Sequence, residues 1–288
     1  MKKIYEKREN EILVTDLSDF CIKHILECGQ IFRFKRLIDL ENNGVKYAYV
    51  VFSLNKKATI LEYENFARIL TDEVDYFANF FDLDTDYSII KNELLTDKTL
   101  KLAVNYGYGI RILKQDFLET LISFIISSNN NILRIQKSLN LISERFGDFK
   151  QDYYAFPTLN QLEKITKQDF RNCGVGFRDT YLVETIASFK NFNIEELYNS
   201  KDKQKTLMKF KGVGPKVADC ILLFGLHDMM VFPVDTWIKK VYNTFYANDC
   251  SDDTIKIREF FLNKFKNYSG YAQQYLFYYK RELDKLKI

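Results

Sequence analysis

Several residue types are scarce in this 288-residue chain, and each scarcity excludes a class of protein. Only three prolines argue against collagen-like or long disordered stretches. The longest apolar runs, at 121–126 and 220–226, fall far short of the roughly 20 residues that a membrane-spanning helix needs. Two histidines argue against a histidine-rich zinc or iron site. An integral membrane protein and a histidine-based metalloenzyme are therefore excluded.

The chain also has few cysteines and no predicted secretion signal. The five cysteines have no metal-ligand spacing, and their odd number does not suit an all-disulfide framework, so we expect reduced thiols. Acidic residues interrupt any apolar segment at the N-terminus, so a signal peptide is not predicted. The composition is rich in Lys, Ile and Asn, which is typical of A+T-rich prokaryotic genomes. These features predict a cytoplasmic, prokaryotic protein.

The charge of the chain is nearly balanced but unevenly distributed. The net charge is +3, yet six lysines between positions 201 and 216 face a single acid, Asp202. That segment carries +5, which leaves −2 for the rest of the chain. A local cluster of positive charge is typical of a phosphate-binding surface, although the net charge alone does not identify a nucleic-acid partner.

The patterning predicts an α+β fold with two parts. Three strand-like segments at 31–37, 45–54 and 58–63 are separated by turn-forming residues and indicate an antiparallel meander. After Phe66 the apolar period becomes helical, with Ile69 in the first stripe, and helices continue to the C-terminus. Asp116 is a predicted N-cap of an almost wholly apolar helix. We predict an N-terminal antiparallel β domain with flanking helices at 1–110 and an all-helical domain at 111–288.

The segment 207–225 reads as helix, tight turn, helix. Gly212 and Gly214 permit a hairpin too tight for side chains, and Pro215 suits the first turn of the second helix. Free backbone amides at a helix N-terminus, surrounded by lysines, can bind a phosphate without reading base sequence. This helix-hairpin-helix is therefore a candidate DNA anchor.

Lys216 and Asp235 are the candidate catalytic pair. Lys216 lies in the first turn of the second hairpin helix, where the helix dipole and nearby lysines are expected to lower its pKa. A neutral amine can form a Schiff base with a sugar carbon. Asp235 could stabilise positive charge on the sugar, or serve only as an N-cap. A surface lysine paired with Asp219 is the alternative that the sequence leaves open.

The motifs together resemble one known family. Gly-Val-Gly followed by Lys216, and then Pro-Val-Asp235, is similar to the helix-hairpin-helix DNA glycosylases that also cleave the strand. The stretches at 28–34, 110–135, 173–182, 212–220, 233–235 and 272–277 resemble the 8-oxoguanine DNA glycosylase family in one continuous order. The resemblance implies a bifunctional glycosylase and abasic-site lyase whose partner is double-stranded DNA containing oxidised guanine.

The resemblance also implies roles for individual residues. In the base pocket, the carbonyl of Gly29 would accept from the N7–H that oxidation creates, Gln273 would bind the Watson-Crick edge, and Phe277 and Cys220 would enclose the flipped ring. Asn129 would fill the vacated space, Phe177 would wedge into the duplex, and Arg134 with Arg178 would donate to an opposite cytosine. The remaining implied DNA contacts are Gly212, Gly214, Lys211 and Trp237, the last two standing where relatives have Pro and His.

The resemblance implies no redox cofactor and no iron-sulfur cluster. The carbonyls of Met208, Phe210 and Val213 would hold a monovalent cation, K⁺ or Na⁺. We expect a nucleoid-associated monomer. Two alternatives stay open: an alkylated-base glycosylase of the same superfamily, and a non-catalytic helix-hairpin-helix DNA-binding module.

Overall fold

A computed structural model describes residues 3–285, and its N-terminal part is a six-stranded antiparallel sheet. The spatial order is β1-β2-β6-β5-β4-β3. The strands are β1 (Tyr5–Arg8), β2 (Glu11–Val14), β3 (Phe34–Arg36), β4 (Tyr47–Ser53), β5 (Lys56–Glu62) and β6 (Ala67–Leu70). The predicted antiparallel meander is thereby confirmed for β3, β4 and β5, while β1, β2 and β6 were not predicted.

The prediction that the chain turns helical directly after Phe66 is wrong. Ile69 lies in β6, where it pairs with Ile12 of β2 and Ile60 of β5. Side chains along this strand alternate between buried and half-buried, which is the two-residue period of a strand. A four-residue strand is too short to reveal that period in the sequence, and pairing on both edges stabilises it.

Fifteen α-helices follow or flank the sheet within residues 3–285. They are α1 (Ile22–Glu27), α2 (Val74–Phe80), α3 (Tyr87–Leu94), α4 (Lys98–Tyr106), α5 (Phe117–Ser127), α6 (Ile132–Phe146), α7 (Leu159–Leu162), α8 (Lys167–Asn172), α9 (Asp179–Phe189), α10 (Ile194–Tyr198), α11 (Lys203–Leu207), α12 (Pro215–Gly225), α13 (Thr236–Val241), α14 (Thr254–Phe265) and α15 (Ser269–Lys285). A small hairpin, β7 (Phe149–Lys150) and β8 (Tyr153–Tyr154), follows α6. The α+β class is confirmed.

The apolar helix α5 lies at the centre of the helical part. Asp116 caps it as predicted, because its carboxylate accepts from the amide of Glu119 at 2.8 Å. Phe124 of α5 stacks on Phe224 of α12 with ring centroids 5.4 Å apart. Since α5 is buried along most of its length, it provides a fixed base for α12, which carries the candidate amine.

Helix α15 connects the two parts of the chain. It packs against α4 and α13. Its Gln274 donates to the carbonyl of Cys28, directly after α1, at 2.7 Å. The apolar cluster around α5 also includes side chains from α3 and α4, so the helices that precede residue 110 share its core. The domain boundary near residue 110 stays a prediction. No helix within the described range is long and apolar enough to span a membrane.

Candidate active site

The helix-hairpin-helix is formed by α11, a short loop and α12. Gly212 has a φ of +79°, in the left-handed region that favours glycine, whereas Gly214 has a φ of −90° and precedes Pro215 at the start of α12. A β-carbon at Gly214 would meet no atom within 4 Å. Lys211 is exposed and lies 3.9 Å from Glu184. The two glycines therefore differ: the fold requires Gly212, while the space beside Gly214 is open.

The three carbonyls proposed for a cation lie in this loop. Met208 is exposed, and Phe210 and Val213 are buried. The Val213 amide donates to the Phe210 carbonyl at 3.2 Å, which leaves that oxygen a second lone pair. Carbonyl oxygens are ligands that hard cations prefer. The donor chemistry fits a monovalent cation, and the assignment stays a prediction.

Lys216 and Asp235 occupy the first turns of two consecutive helices. Lys216 is the second residue of α12, and Asp235 caps α13 by accepting from the Ile238 amide at 2.9 Å. The predicted capping role of Asp235 is confirmed. Both side chains are half-buried, and their charges attract each other. The Lys216 Nζ lies 5.5 Å from the centroid of the Phe124 ring, so α5 forms one wall around the amine.

The predicted lowering of the Lys216 pKa is wrong. Burial does favour the neutral amine, but the attraction of Cys220 and Asp235 for the ammonium is stronger and raises the pKa. Burial disfavours the charged thiolate and raises the pKa of the Cys220 thiol to about 11, and the positive charge of Lys216 only partly opposes this shift. The thiol is therefore protonated at neutral pH. Burial also raises the pKa of Asp235, while the Ile238 amide and Lys216 oppose that shift.

Asp219 does not compete for the amine. Its carboxylate receives Arg258 Nε at 2.6 Å and Gln204 Nε2 at 2.7 Å. These two donors hold Asp219 on the side of α12 that faces α11 and α14. The question that the sequence left open is thus settled in favour of Asp235 as the charge partner of Lys216.

The four residues predicted for the base pocket come from three separate segments. Gly29 has a φ of +88°, and a β-carbon there would lie 3.0 Å from the Phe277 ring. Gln273 donates to the carbonyl of Pro233 at 3.4 Å, two positions before Asp235. Cys220 lies one turn beyond Lys216 on α12. Gln273 and Phe277 share one face of α15, so this helix joins the Gly29 loop to the Lys216 site.

The residues predicted to contact the duplex lie close to one another around Arg178. Asn129 has a φ of +49° and is exposed. The Arg178 guanidinium donates to the Asn129 carbonyl at 2.9 Å and lies 4.4 Å from the Phe177 ring centroid. Burial lowers the pKa of Arg178, and the neighbouring charge of Arg134 lowers it further. Phe177 is 54% exposed, which is unusual for a large apolar side chain and suits a wedge.

Arg178 and Trp237 make contacts within the protein that the sequence did not predict. Arg178 is buried and also donates to the carbonyls of Ser128 and Val175. Its guanidinium therefore holds the backbone beside Asn129. The indole of Trp237 lies 4.3 Å from the Lys240 ammonium, so a cation lies beside this predicted DNA contact.

Three residues of the site were missed in the sequence. Gln274 anchors the loop before Gly29, Phe124 lies beside the amine, and Arg281 lies over the Phe277 ring at 5.4 Å. The helical period from Gln273 through Phe277 points to Arg281, and that signal was available. Gln274 and Phe124 act through tertiary contacts that no local pattern reveals.

Comparisons with known proteins agree with this geometry. Residues 12–121 match the 8-oxoguanine DNA glycosylase N-terminal domain, and residues 122–267 match the HhH-GPD superfamily of base excision DNA repair proteins. An 8-oxoguanine glycosylase/lyase of Clostridium acetobutylicum, solved with double-stranded DNA containing cytosine opposite 8-oxoguanine, is 40% identical with a TM-score of 0.89. That comparison covers 97% of this chain and 98% of the other.

Two curated relatives extend the comparison. An N-glycosylase/DNA lyase of Saccharomyces cerevisiae is 28% identical over 92% of this chain and 84% of its own length. A probable N-glycosylase/DNA lyase of Methanothermobacter thermautotrophicus is 28% identical over 76% of this chain and 78% of its own. The fold, the helix-hairpin-helix and these matches agree, and the chain belongs to the 8-oxoguanine DNA glycosylase family of N-glycosylase/DNA lyases that act in base excision repair.

Proposed function

We propose that this chain removes 8-oxoguanine from double-stranded DNA, preferably opposite cytosine, through an imine formed by Lys216, and then cleaves the strand by β-elimination. The observation that carries the proposal is that an amine and a carboxylate, both half-buried, attract each other from the first turn of α12 and the N-cap of α13. The C. acetobutylicum relative bound to a cytosine:8-oxoguanine duplex supports the choice of substrate.

The reaction begins with loss of a proton from Lys216, because the ammonium has no lone pair. Asp235, the carboxylate whose charge attracts Lys216, accepts that proton. The neutral Nζ then attacks C1′ of the lesion nucleotide, and the C1′–N9 bond breaks with its electron pair leaving on the base. Asp235 passes the proton that it took from Lys216 to the departing base, and the regenerated carboxylate stabilises the positive charge that develops on the sugar. The secondary ammonium at C1′ then gives one proton to O4′ as the C1′–O4′ bond opens, which produces the protonated imine and a free 4′-hydroxyl.

Strand cleavage follows from the imine. The protonated imine acidifies the C2′ proton, which water removes; a C2′–C3′ double bond then forms as the C3′–O3′ bond breaks and the 3′ phosphate leaves. Water then hydrolyses the imine and releases Lys216. Every step uses side chains of this chain and water.

Base recognition rests on hydrogen-bond complementarity. The carbonyl of Gly29 accepts from the N7–H of the lesion and faces a repelling lone pair in guanine. Oε1 of Gln273 is buried and without a hydrogen-bond partner among the described residues, so it is free to accept from the Watson-Crick edge. Phe277 and Cys220 enclose the ring as an aromatic face and a neutral, polarisable thiol.

On the duplex side, Arg134 is exposed and is the more available donor to an orphaned cytosine. Arg178 as a second donor stays a prediction, because its guanidinium already donates to backbone carbonyls. Asn129 occupies the space that the flipped base leaves, and Phe177 wedges beside the partner base. The hairpin amides and Lys211 bind the DNA backbone, with Trp237 close to a phosphate.

Borohydride trapping tests the proposal. The protein is mixed with duplexes carrying 8-oxoguanine opposite each of the four bases, and reduction of an imine leaves a permanent protein-DNA cross-link. We expect cross-linking and strand cleavage, strongest with cytosine, and neither with Lys216→Gln. Lys190→Gln, an exposed lysine paired loosely with Glu163, is the matched control.

Other outcomes identify the alternatives. Release of alkylated bases without a cross-link indicates an alkylated-base glycosylase. Duplex binding with neither base release nor cross-link indicates a non-catalytic module. Full strand cleavage by Lys216→Gln contradicts the assignment of the nucleophile. The cation at the hairpin, the lack of a redox cofactor, the monomeric state and the prokaryotic, nucleoid-associated setting stay predictions.

A further inference from the structure

Helix α15 continues its active-site face one turn beyond Phe277. Gln273, Phe277 and Arg281 follow one another at intervals of four residues, so their side chains lie along the same side of the helix. Arg281 is only 5% exposed. Arg281 is not among the four residues proposed to bind the flipped base.

The Arg281 guanidinium has three neighbours, two of which belong to the Gly29 loop and the Phe277 ring. One terminal nitrogen donates to the carbonyl of Glu27, at the end of α1 and two positions before Gly29. Its Nε donates to the Glu282 carboxylate at 3.0 Å. Its central carbon lies 5.4 Å from the centroid of the Phe277 ring. The side chain is therefore held at the junction of the Gly29 loop and α15.

The other terminal nitrogen of Arg281 is left without a partner. NH1 is buried and makes no hydrogen bond to any described residue. It lies 3.1 Å from the position of a β-carbon on Gly29, a point that is 3.0 Å from Cε1 of Phe277. A buried N–H without an acceptor costs free energy, so an acceptor that arrives with the ligand is favoured.

We propose that Arg281 is a further specificity-determining residue of the base pocket, which donates this free N–H to the C8 carbonyl oxygen of the flipped purine. The inference rests on the proposed function, because it places the lesion against Gly29. In 8-oxoguanine the N7–H donor and the C8 carbonyl acceptor are adjacent. Guanine has a lone pair at N7 and only a C–H at C8. An acceptor at Gly29 beside a donor at Arg281 matches the lesion at both atoms and guanine at neither.

The test compares two substrates that differ only in the base. Single-turnover base release is measured on an 8-oxoguanine:cytosine duplex, and strand cleavage is measured on a duplex with an abasic site opposite cytosine. For Arg281→Met we expect base release to fall by about tenfold or more, because a donor to the lesion is lost. Cleavage at the abasic site should be unchanged, because that substrate has no base to contact.

Two further variants separate specificity from folding. Arg281→Lys keeps one charged donor and should recover part of the base-release rate. Lys280→Met removes the neighbouring cation on α15, which pairs with Asp284 at 2.9 Å, and should behave as wild type on both substrates. Thermal unfolding of each variant reports the structural effect of the change.

Each outcome decides the matter. An equal loss on both substrates assigns Arg281 a structural role and overturns the proposal, as does a wild-type rate of base release in Arg281→Met. If Arg281→Met does not fold, Arg281→Lys decides: an equal loss on both substrates overturns the proposal, and a loss confined to base release supports it. A wild-type protein that cleaves abasic sites but releases no 8-oxoguanine contradicts the proposed function itself, and the inference falls with it.

Discussion

The ring of Tyr181 occupies the space where a side chain on Gly212 would lie, since a β-carbon there would be 2.6 Å from ring atom Cδ2. Gly212→Ala combines this overlap with a φ of +79°, so we expect it to destabilise the protein by about 1–3 kcal/mol. Chemical denaturation measures the loss. An unchanged unfolding free energy would show that Tyr181 moves aside without cost.

Gly214→Ala is the matched change at the other hairpin glycine. Its β-carbon would meet no atom within 4 Å, so we expect stability to change by no more than about 0.5 kcal/mol. DNA affinity should fall by about tenfold, equally for damaged and undamaged duplexes, because the new methyl group separates the loop amides from a phosphate. Fluorescence anisotropy with both duplexes checks this. If Gly214→Ala binds DNA as tightly as the wild type, the DNA backbone does not bind at these loop amides.

Asp235 has two roles, as the N-cap of α13 and as a negative charge that acts on Lys216. Two substitutions separate these roles. Asn retains an oxygen that accepts from the Ile238 amide, so Asp235→Asn should unfold like wild type yet release 8-oxoguanine at least about 100-fold more slowly. Asp235→Ala loses the cap as well and should cost about 1 kcal/mol of stability. Near wild-type turnover by Asp235→Asn would reduce Asp235 to a helix cap.

Base release should accelerate with pH. The attacking form of Lys216 is the neutral amine, and the pKa of this group is raised, so the amine is mostly protonated at neutral pH. Below that pKa each unit of pH should increase the neutral fraction, and the single-turnover rate with it, by about tenfold. Rates measured between pH 6 and pH 9 test the slope. A flat profile would mean that proton loss from Lys216 does not limit the reaction.

The two arginines near Asn129 should respond differently to substitution. Arg134 is exposed, so Arg134→Ala should leave stability unchanged and reduce the preference for cytosine opposite the lesion. Arg178→Ala removes donors from the carbonyls of Ser128, Asn129 and Val175, and should cost about 1–3 kcal/mol of stability. Unfolding free energies and excision rates opposite each base measure both effects. Equal behaviour of the two variants would contradict this assignment.

Local patterns predicted the parts of the fold that local chemistry determines. The cap at Asp116 and the hairpin before Pro215 follow from residue types at fixed positions. Strand β6 was missed because its stability comes from β2 and β5 on either side. The predicted direction of the Lys216 pKa shift was wrong because the reasoning included the helix dipole and the nearby lysines but omitted two partners of the ammonium. These are Cys220, one turn further along α12, and Asp235, nineteen positions away in the sequence.

The hydrogen bond from Gln274 to the carbonyl of Cys28 joins residues 246 positions apart. The loop that contains Gly29 is thus held by α15, so this contact forms only after residue 274 has been added to the chain. A polypeptide that stops before Gln274 would contain the hairpin, Lys216 and Asp235 but would lack this support for the Gly29 loop.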